Sequence, residues 1–174
     1  MAARYLITGV AGTGKSTVAH QLHKRGYAAY DADSGFSYYV NKKTRQRVPH
    51  PKTPSLEWYA KHERIFDENV LQDLFQKHTG EQLFLASITA NQSKYYPKFD
   101  KIFLLTANDK LLAHRLKSRT TSDFGKHPVD LHRVLSGRPD FDAELRAAGA
   151  IEIDSSKSIE TVVGQILDHL NESL

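Results

Sequence analysis

Three short stretches carry residue types and spacings that could do chemistry. GVAGTGKST, at residues 9–17, sets Gly9, Gly14, Lys15 and Ser16 in the pattern G-x-x-x-x-G-K-[ST]. Glycines let the backbone turn sharply, so that successive N–H groups point at phosphate oxygens. A helix beginning at Lys15 would add the positive end of its dipole. Lys15 would neutralise β- and γ-phosphate charge, and the Ser16 hydroxyl would ligate Mg²⁺. Gly9, Gly12, Thr13, Gly14, Lys15, Ser16 and Thr17 are therefore expected to cradle the phosphates of a nucleoside triphosphate.

AYDADS, at 29–34, brings two carboxylates to the end of an extended run. Residues i and i+2 of a strand share a face, so Asp31 and Asp33 would point into one site. One would hold Mg²⁺, directly or through water. The other would orient or deprotonate an acceptor hydroxyl. Asp31 is expected as the metal residue and Asp33 as the catalytic one. The third stretch is RLKSR, where Arg115 and Arg119 are four apart on a helix that runs into a loop. That spacing puts both guanidinium groups on one face, and a planar guanidinium suits both ring stacking and bidentate phosphate contact.

These stretches need elements to position them. Five short runs read as buried strands: 4–8, 27–31, 82–87, 101–106 and 150–154. Most are apolar runs rather than strict alternations, as a parallel sheet covered on both faces requires. Helical patterns occupy 15–25, 55–78, 108–119 and 158–170. Ser55 and Asn108 serve as N-caps, and Gly26 stops the first helix. Strand and helix alternate throughout, which predicts an α/β fold in a single domain spanning 1–174. Two stretches resist the pattern. One is 41–54, with three prolines and five basic residues. The other is 120–128.

Composition narrows the classes. The chain is 40% hydrophobic and 25% charged, close to an average soluble protein. Without cysteine there are no disulfides or thiolate metal sites, and a cytoplasmic location is expected. The N-terminus has no apolar leader-like run, and no stretch approaches the roughly 20 apolar residues of a membrane span. The net charge of +4 fits ordinary solubility, an anionic substrate or nucleic acid, but no dense basic run favours nucleic acid. The nine histidines lack H-x-x-x-H or H-E-x-x-H spacing, so the expected metal is Mg²⁺ arriving with ATP.

Other users of the same loop are set aside residue by residue. NKKT at 41–44 lacks the aspartate of a guanine-reading motif, QLFLASITAN has no acidic residue at its strand end, and DFG at 123–125 stands without any other protein-kinase element.

The stretch from Leu6 to Ser34 resembles the P-loop kinases of small molecules and nucleotides, especially shikimate kinase with its D-x-D after the second strand. RLKSR resembles the arginine pair that opens the lid of adenylate-kinase-like enzymes. The chain also looks like poorly characterised bacterial P-loop ATPases labelled shikimate-kinase-like. The resemblance implies a three-layer fold with sheet order 2-3-1-4-5 and a small lid over about 115–130. It implies that Arg115 stacks on adenine, that Arg119 contacts the transferred phosphate, and that Ser155, with Ser156 and Lys157, lies beside the adenine. Gly125 would be a lid hinge, Lys126 and His127 basic contacts, and Pro128 the first residue of the next helix.

The acceptor half departs from that family. SITANQSKYY stands where shikimate kinases carry a glycine triplet, so Ser87, Thr89, Asn91, Gln92 and Lys94 would line a different pocket. GRPDF at 137–141 echoes a lid motif but falls after the lid. The acceptor is expected against an insertion over about 34–78, where Arg45, Arg47, Lys61 and Arg64 would bind an anion and Tyr38, Tyr39, Trp58 and Tyr59 would cover a ring. The expectation is an ATP- and Mg²⁺-dependent kinase with Lys15, Asp33 and Arg119 as catalytic residues. Its acceptor is a small hydroxylated metabolite, a nucleoside or a nucleotide. A polynucleotide end is a lesser alternative. So is a regulatory ATP-binding protein that barely turns over.

Overall fold

The computed structural model describes residues 3–120 and 123–171. The chain runs β1 (Ala3–Thr8), α1 (Lys15–Lys24), β2 (Ala28–Asp31), β3 (Ser37–Asn41), β4 (Arg47–Val48), α2 (Leu56–Lys61), β5 (His62–Phe66), α3 (Glu68–Lys77), β6 (Gln82–Ala86), a 3-10 segment Gln92–Lys98, β7 (Lys101–Thr106), α4 (Asp109–Ser118), α5 (Pro128–Ala147), β8 (Ile151–Asp154) and α6 (Ile159–Asn171). The main sheet has the order β2-β6-β1-β7-β8 with every pairing parallel. In terms of its own strands that is 2-3-1-4-5, the order the resemblance implies.

Alternation along β1 divides the core. Tyr5 and Ile7 join Val18, Ala19 and Leu22 of α1 and Val162, Val163 and Ile166 of α6. Leu6 faces the other way, toward Leu71, Leu74 and Phe75 of α3, Tyr95 of the 3-10 segment with Phe99 just after it, and Leu145 of α5. Each such buried aliphatic side chain contributes about 1.5–3 kcal/mol. A third cluster, Val10, Ala107, Leu112, Leu116 and Val134, lies under the glycine-rich loop and ties it to α4 and α5.

The helix expected over 55–78 is not continuous. Ser55 does cap a helix, accepting from the Trp58 N–H, but α2 ends at Lys61. His62–Phe66 then form β5, which pairs antiparallel with β3, and β4 completes a three-stranded sheet in the order β4-β3-β5. Ile65 and Phe66 are buried as strand residues. Asp67 starts α3 as a new N-cap, accepting from the N–H groups of Asn69 and Val70. The apolar spacing over 55–78 mimics a helical period, but the ladder offered by β3 overrides it. The stretch 41–54 is partly ordered by the same sheet. Asn41 Oδ1 accepts from the N–H groups of Lys43 and Thr44, and Arg45 closes the turn with φ +60°. GRPDF lies inside α5, with Pro139 within the helix.

Candidate active site

β1 delivers the glycine-rich loop and α1 receives it. Gly9 has φ +144°, and a Cβ there would sit 2.5 Å from the Leu105 carbonyl oxygen, so the position excludes any side chain. Gly12 and Gly14 also have positive φ, and Gly14 is the N-cap of α1 without a side-chain cap. No acidic residue lies in the first turn of α1. Its leading N–H groups are thus left to an anion. Thr13 is buried and donates through Oγ1 to the Val10 carbonyl at 2.9 Å, bracing the loop. Ser16 and Thr17 are exposed on the first turn of α1.

Lys15 curls back over the loop, donating from Nζ to the carbonyls of Gly9 at 2.7 Å and Val10 at 3.0 Å. Burial pulls its ammonium down to about 8. Asp33 and Asp31 oppose that by favouring the charge, while Arg119 and Arg64 add to it. Four residues from three further regions of the chain therefore act on this one ammonium.

Asp31 ends β2, and its Oδ1 accepts from the Asp33 N–H at 2.9 Å. Asp33 is exposed and pairs with Arg64 Nη1 at 2.6 Å. Arg64, on β5, also donates from Nε to Ser37 Oγ at 2.8 Å. Arg45 and Lys61 instead make surface pairs with Glu63 and Glu57, while Arg47 lies over the Tyr38 ring. Arg64 is thus the member of the basic set that reaches the carboxylate pair.

On the far side, Arg115 of α4 donates to the Gly12 carbonyl at 3.4 Å and to the Ser155 carbonyl at 2.8 Å. Ser155 is buried and held by Thr106, its Oγ donating to that carbonyl at 2.8 Å. Arg115, Gly12 and Ser155 therefore meet. Ser156 and Lys157 are exposed; Ser156 donates its N–H to Asp154, and Lys157 lies 3.9 Å from that carboxylate. Arg119 caps α4 and donates from Nε to the Phe124 carbonyl at 3.1 Å. Burial lowers its basicity, while Asp33 and Asp130 favour its charge.

Gly125, expected as a hinge, is packed tightly: its φ is +88°, and a Cβ would lie 2.8 Å from the Leu116 side chain. Lys126 pairs with Asp123, and His127 caps α5 through Nδ1, with Pro128 as the first helical residue. Thr121 and Ser122, also within the expected lid, lie outside the described residues.

Of the polar set after β6, three members brace the fold. Asn91 Oδ1 accepts from the Phe66 N–H, Gln92 is buried and accepts from Thr8, and Lys94 pairs with Glu68. Ser87 and Thr89 differ. Both are buried, and their hydroxyls have no hydrogen-bond partner among the described residues. They follow β6, whose Ala86 sits in register between Ile7 of β1 and Asp31 of β2. The orphaned Ser87 hydroxyl, one residue beyond the register partner of Asp31, fits a site that takes a hydrated ion and phosphate oxygens. Among the described residues no three His, Cys, Asp or Glu side chains converge, so an ion there would draw its other ligands from phosphate and water.

Tyr39, His50, Trp58, Tyr59 and His62 form one aromatic cluster beside Arg64. Trp58 stacks on His62 at 4.5 Å and meets Tyr39, His50 and Tyr59 edge-on. Sequence reasoning missed Asp130 and Arg133 of α5. Arg133 lies 4.2 Å over the Tyr59 ring, and buried Asp130 accepts from the Tyr59 hydroxyl at 2.9 Å. A carboxylate in a first helical turn ordinarily reads as a dipole partner, so nothing in the pattern marks it.

A parallel sheet of this order, with a glycine-rich loop and lysine between β1 and α1, defines a P-loop nucleotide-binding domain. The chain belongs to the AAA_18 family of AAA domains, whose model matches residues 6–132. Similar solved structures are small-molecule kinases. A gluconokinase from Sinorhizobium meliloti shares 18% identity at TM-score 0.57, over 98% of this chain and 92% of that one. A deoxyadenosine kinase from M. mycoides with bound dATP shares 14% at TM-score 0.54, over 97% and 99%. A sugar kinase from Janibacter sp. shares 14% at TM-score 0.59, over 99% and 96%. No curated protein matches the sequence significantly. Among the described residues, no helix is long and apolar enough to cross a membrane.

Proposed function

We propose that this chain is an ATP-dependent kinase that moves the γ-phosphate to a hydroxyl of a small metabolite or nucleoside. The observation that carries this reading is the Asp31–Asp33–Arg64 arrangement, with Asp33 bonded to both neighbours, whose charges together with that of Arg119 act on the Lys15 ammonium. A loop that only held nucleotide would need neither the Asp33 carboxylate nor the Arg64 fork. In this reading Lys15, the loop N–H groups and Arg119 spread the charge of the transferred group. Asp33 orients the acceptor hydroxyl and takes its proton. Ser16 and Asp31 hold Mg²⁺, which neutralises phosphate charge when bound. Arg115 and Ser155 flank the base.

The insertion at 34–78 then binds the acceptor, and 115–130 covers the nucleotide. Arg64, already paired with a carboxylate, suits an acceptor that carries an anionic group beside its hydroxyl. The structural likeness to a gluconokinase and a deoxyadenosine kinase supports a small acceptor.

The test is ADP release from ATP and Mg²⁺ against a panel of sugar acids, shikimate-like acids, nucleosides and nucleotides, with Asp33→Asn as control. Release that depends on one acceptor and is lost in the control supports the proposal. Bound ATP with no acceptor-dependent release across the panel counts against it.

A further inference from the structure

Asp130 is 3% exposed, and no ion pair includes it among the described residues. It stands in the first turn of α5, but His127 already caps that helix. Its two oxygens serve two other elements. Oδ1 accepts from the Tyr59 hydroxyl at 2.9 Å, 71 residues away in the chain, and Oδ2 accepts from the Gly125 N–H at 3.1 Å.

The Gly125 N–H and the Phe124 carbonyl belong to one planar peptide unit. Its oxygen accepts from Arg119 Nε at 3.1 Å, and its N–H is held by Asp130. Turning that peptide would break both bonds at once. Leu116 packs close on one side of Gly125, where a Cβ would lie 2.8 Å from its side chain. At the other end Tyr59 is buried, lies under Arg133, and packs edge-on against Trp58 at 5.3 Å.

We infer that Asp130 is a positioning residue that ties the turn holding Arg119 to the aromatic wall around Trp58, so that nucleotide bound on one side is felt on the other. This rests on the proposed nucleotide site. Arg119 drawn toward a phosphate shifts the 124–125 peptide. Asp130 passes the shift to the Tyr59 hydroxyl, and the ring moves against Trp58.

Trp58 is the sole tryptophan, so its emission reads the wall directly. The full-length chain is titrated with a non-hydrolysable ATP analogue and Mg²⁺, following binding by calorimetry and Trp58 by fluorescence. Wild type should show a saturable emission change with the calorimetric midpoint. Tyr59→Phe should bind the analogue within about threefold of wild type yet lose most of that change. Asp130→Asn, nearly the same shape, is the second variant and should show the same loss if Tyr59→Phe fails to fold. Calorimetric binding with silent Trp58 emission in wild type overturns the inference alone. So does a full emission change in a folded Tyr59→Phe or Asp130→Asn. A wild type that shows no binding heat and no binding by competition removes the proposed function and this inference together.

Discussion

Asp33 and Arg64 meet at 2.6 Å, joining the turn after β2 to the edge of the three-stranded sheet. The Asp33 side chain is 64% exposed, so the pair contributes about 0–1 kcal/mol to stability. Its consequence is geometric. Arg64 is also anchored on Ser37, and it fixes where the carboxylate points.

Asp33→Asn keeps the shape and loses the base. Acceptor-dependent turnover should fall by about 10²–10⁴-fold, while nucleotide affinity stays near wild type. Steady-state kinetics beside calorimetric nucleotide binding checks this. Unchanged kcat would remove Asp33 from the chemistry.

Arg64→Lys keeps the charge but loses the planar fork that reaches Asp33 and Ser37 together. KM for the acceptor should rise by about tenfold or more, one lost charged contact being worth about 1.5–3 kcal/mol. The unfolding midpoint should barely move. A large stability loss with unaltered KM would mark Arg64 as a strut instead.

Gly125→Ala forces a Cβ into Leu116 at positive φ. Urea unfolding should show a loss of about 1–3 kcal/mol. A double-mutant cycle with Leu116→Ala should show partial coupling between the sites, since that change removes the Cδ2 contact at 2.8 Å but leaves the Leu116 Cβ at 2.9 Å and the backbone strain. A variant as stable as wild type would mean that the turn rearranges freely.

His50 gives a pH signature. Burial lowers its imidazole below the ordinary 6.5; Asp130 acts upward, and Arg64 and Arg133 downward. The unfolded chain therefore takes up the proton first on acidification, and the His50 contribution to stability is present above 6.5 and lost as pH falls through its folded value. Asp130→Asn removes the upward influence, so His50 should titrate lower still. NMR titration of the ring reads both, and a value at or above 6.5 in either protein contradicts the account.

The parallel sheet is legible because each strand is a short apolar run bounded by a helix signal, and Gly9 to Thr17 announces itself through glycine spacing. The break at His62 is not legible. Trp58, Ile65, Val70, Leu71, Leu74 and Phe75 keep near-helical spacing across it, and the deciding partner, β3, is distant in sequence. Asp67 before Glu-Asn-Val was the available cue, being an acceptor ahead of an apolar run. Arg64 appeared among the basic candidates, but only tertiary folding separates it from Arg45 and Lys61. Asp130 gave no signal, because its partners come from α2 and from the turn before its own helix.

The most direct measurement follows the terminal phosphate of γ-labelled ATP in the presence of Mg²⁺ and a hydroxylated acid or nucleoside. The account predicts label on the acceptor oxygen, stoichiometric with ADP and absent in Asp33→Asn. Label that appears only as free phosphate, at a rate indifferent to every acceptor and to Asp33, would contradict it.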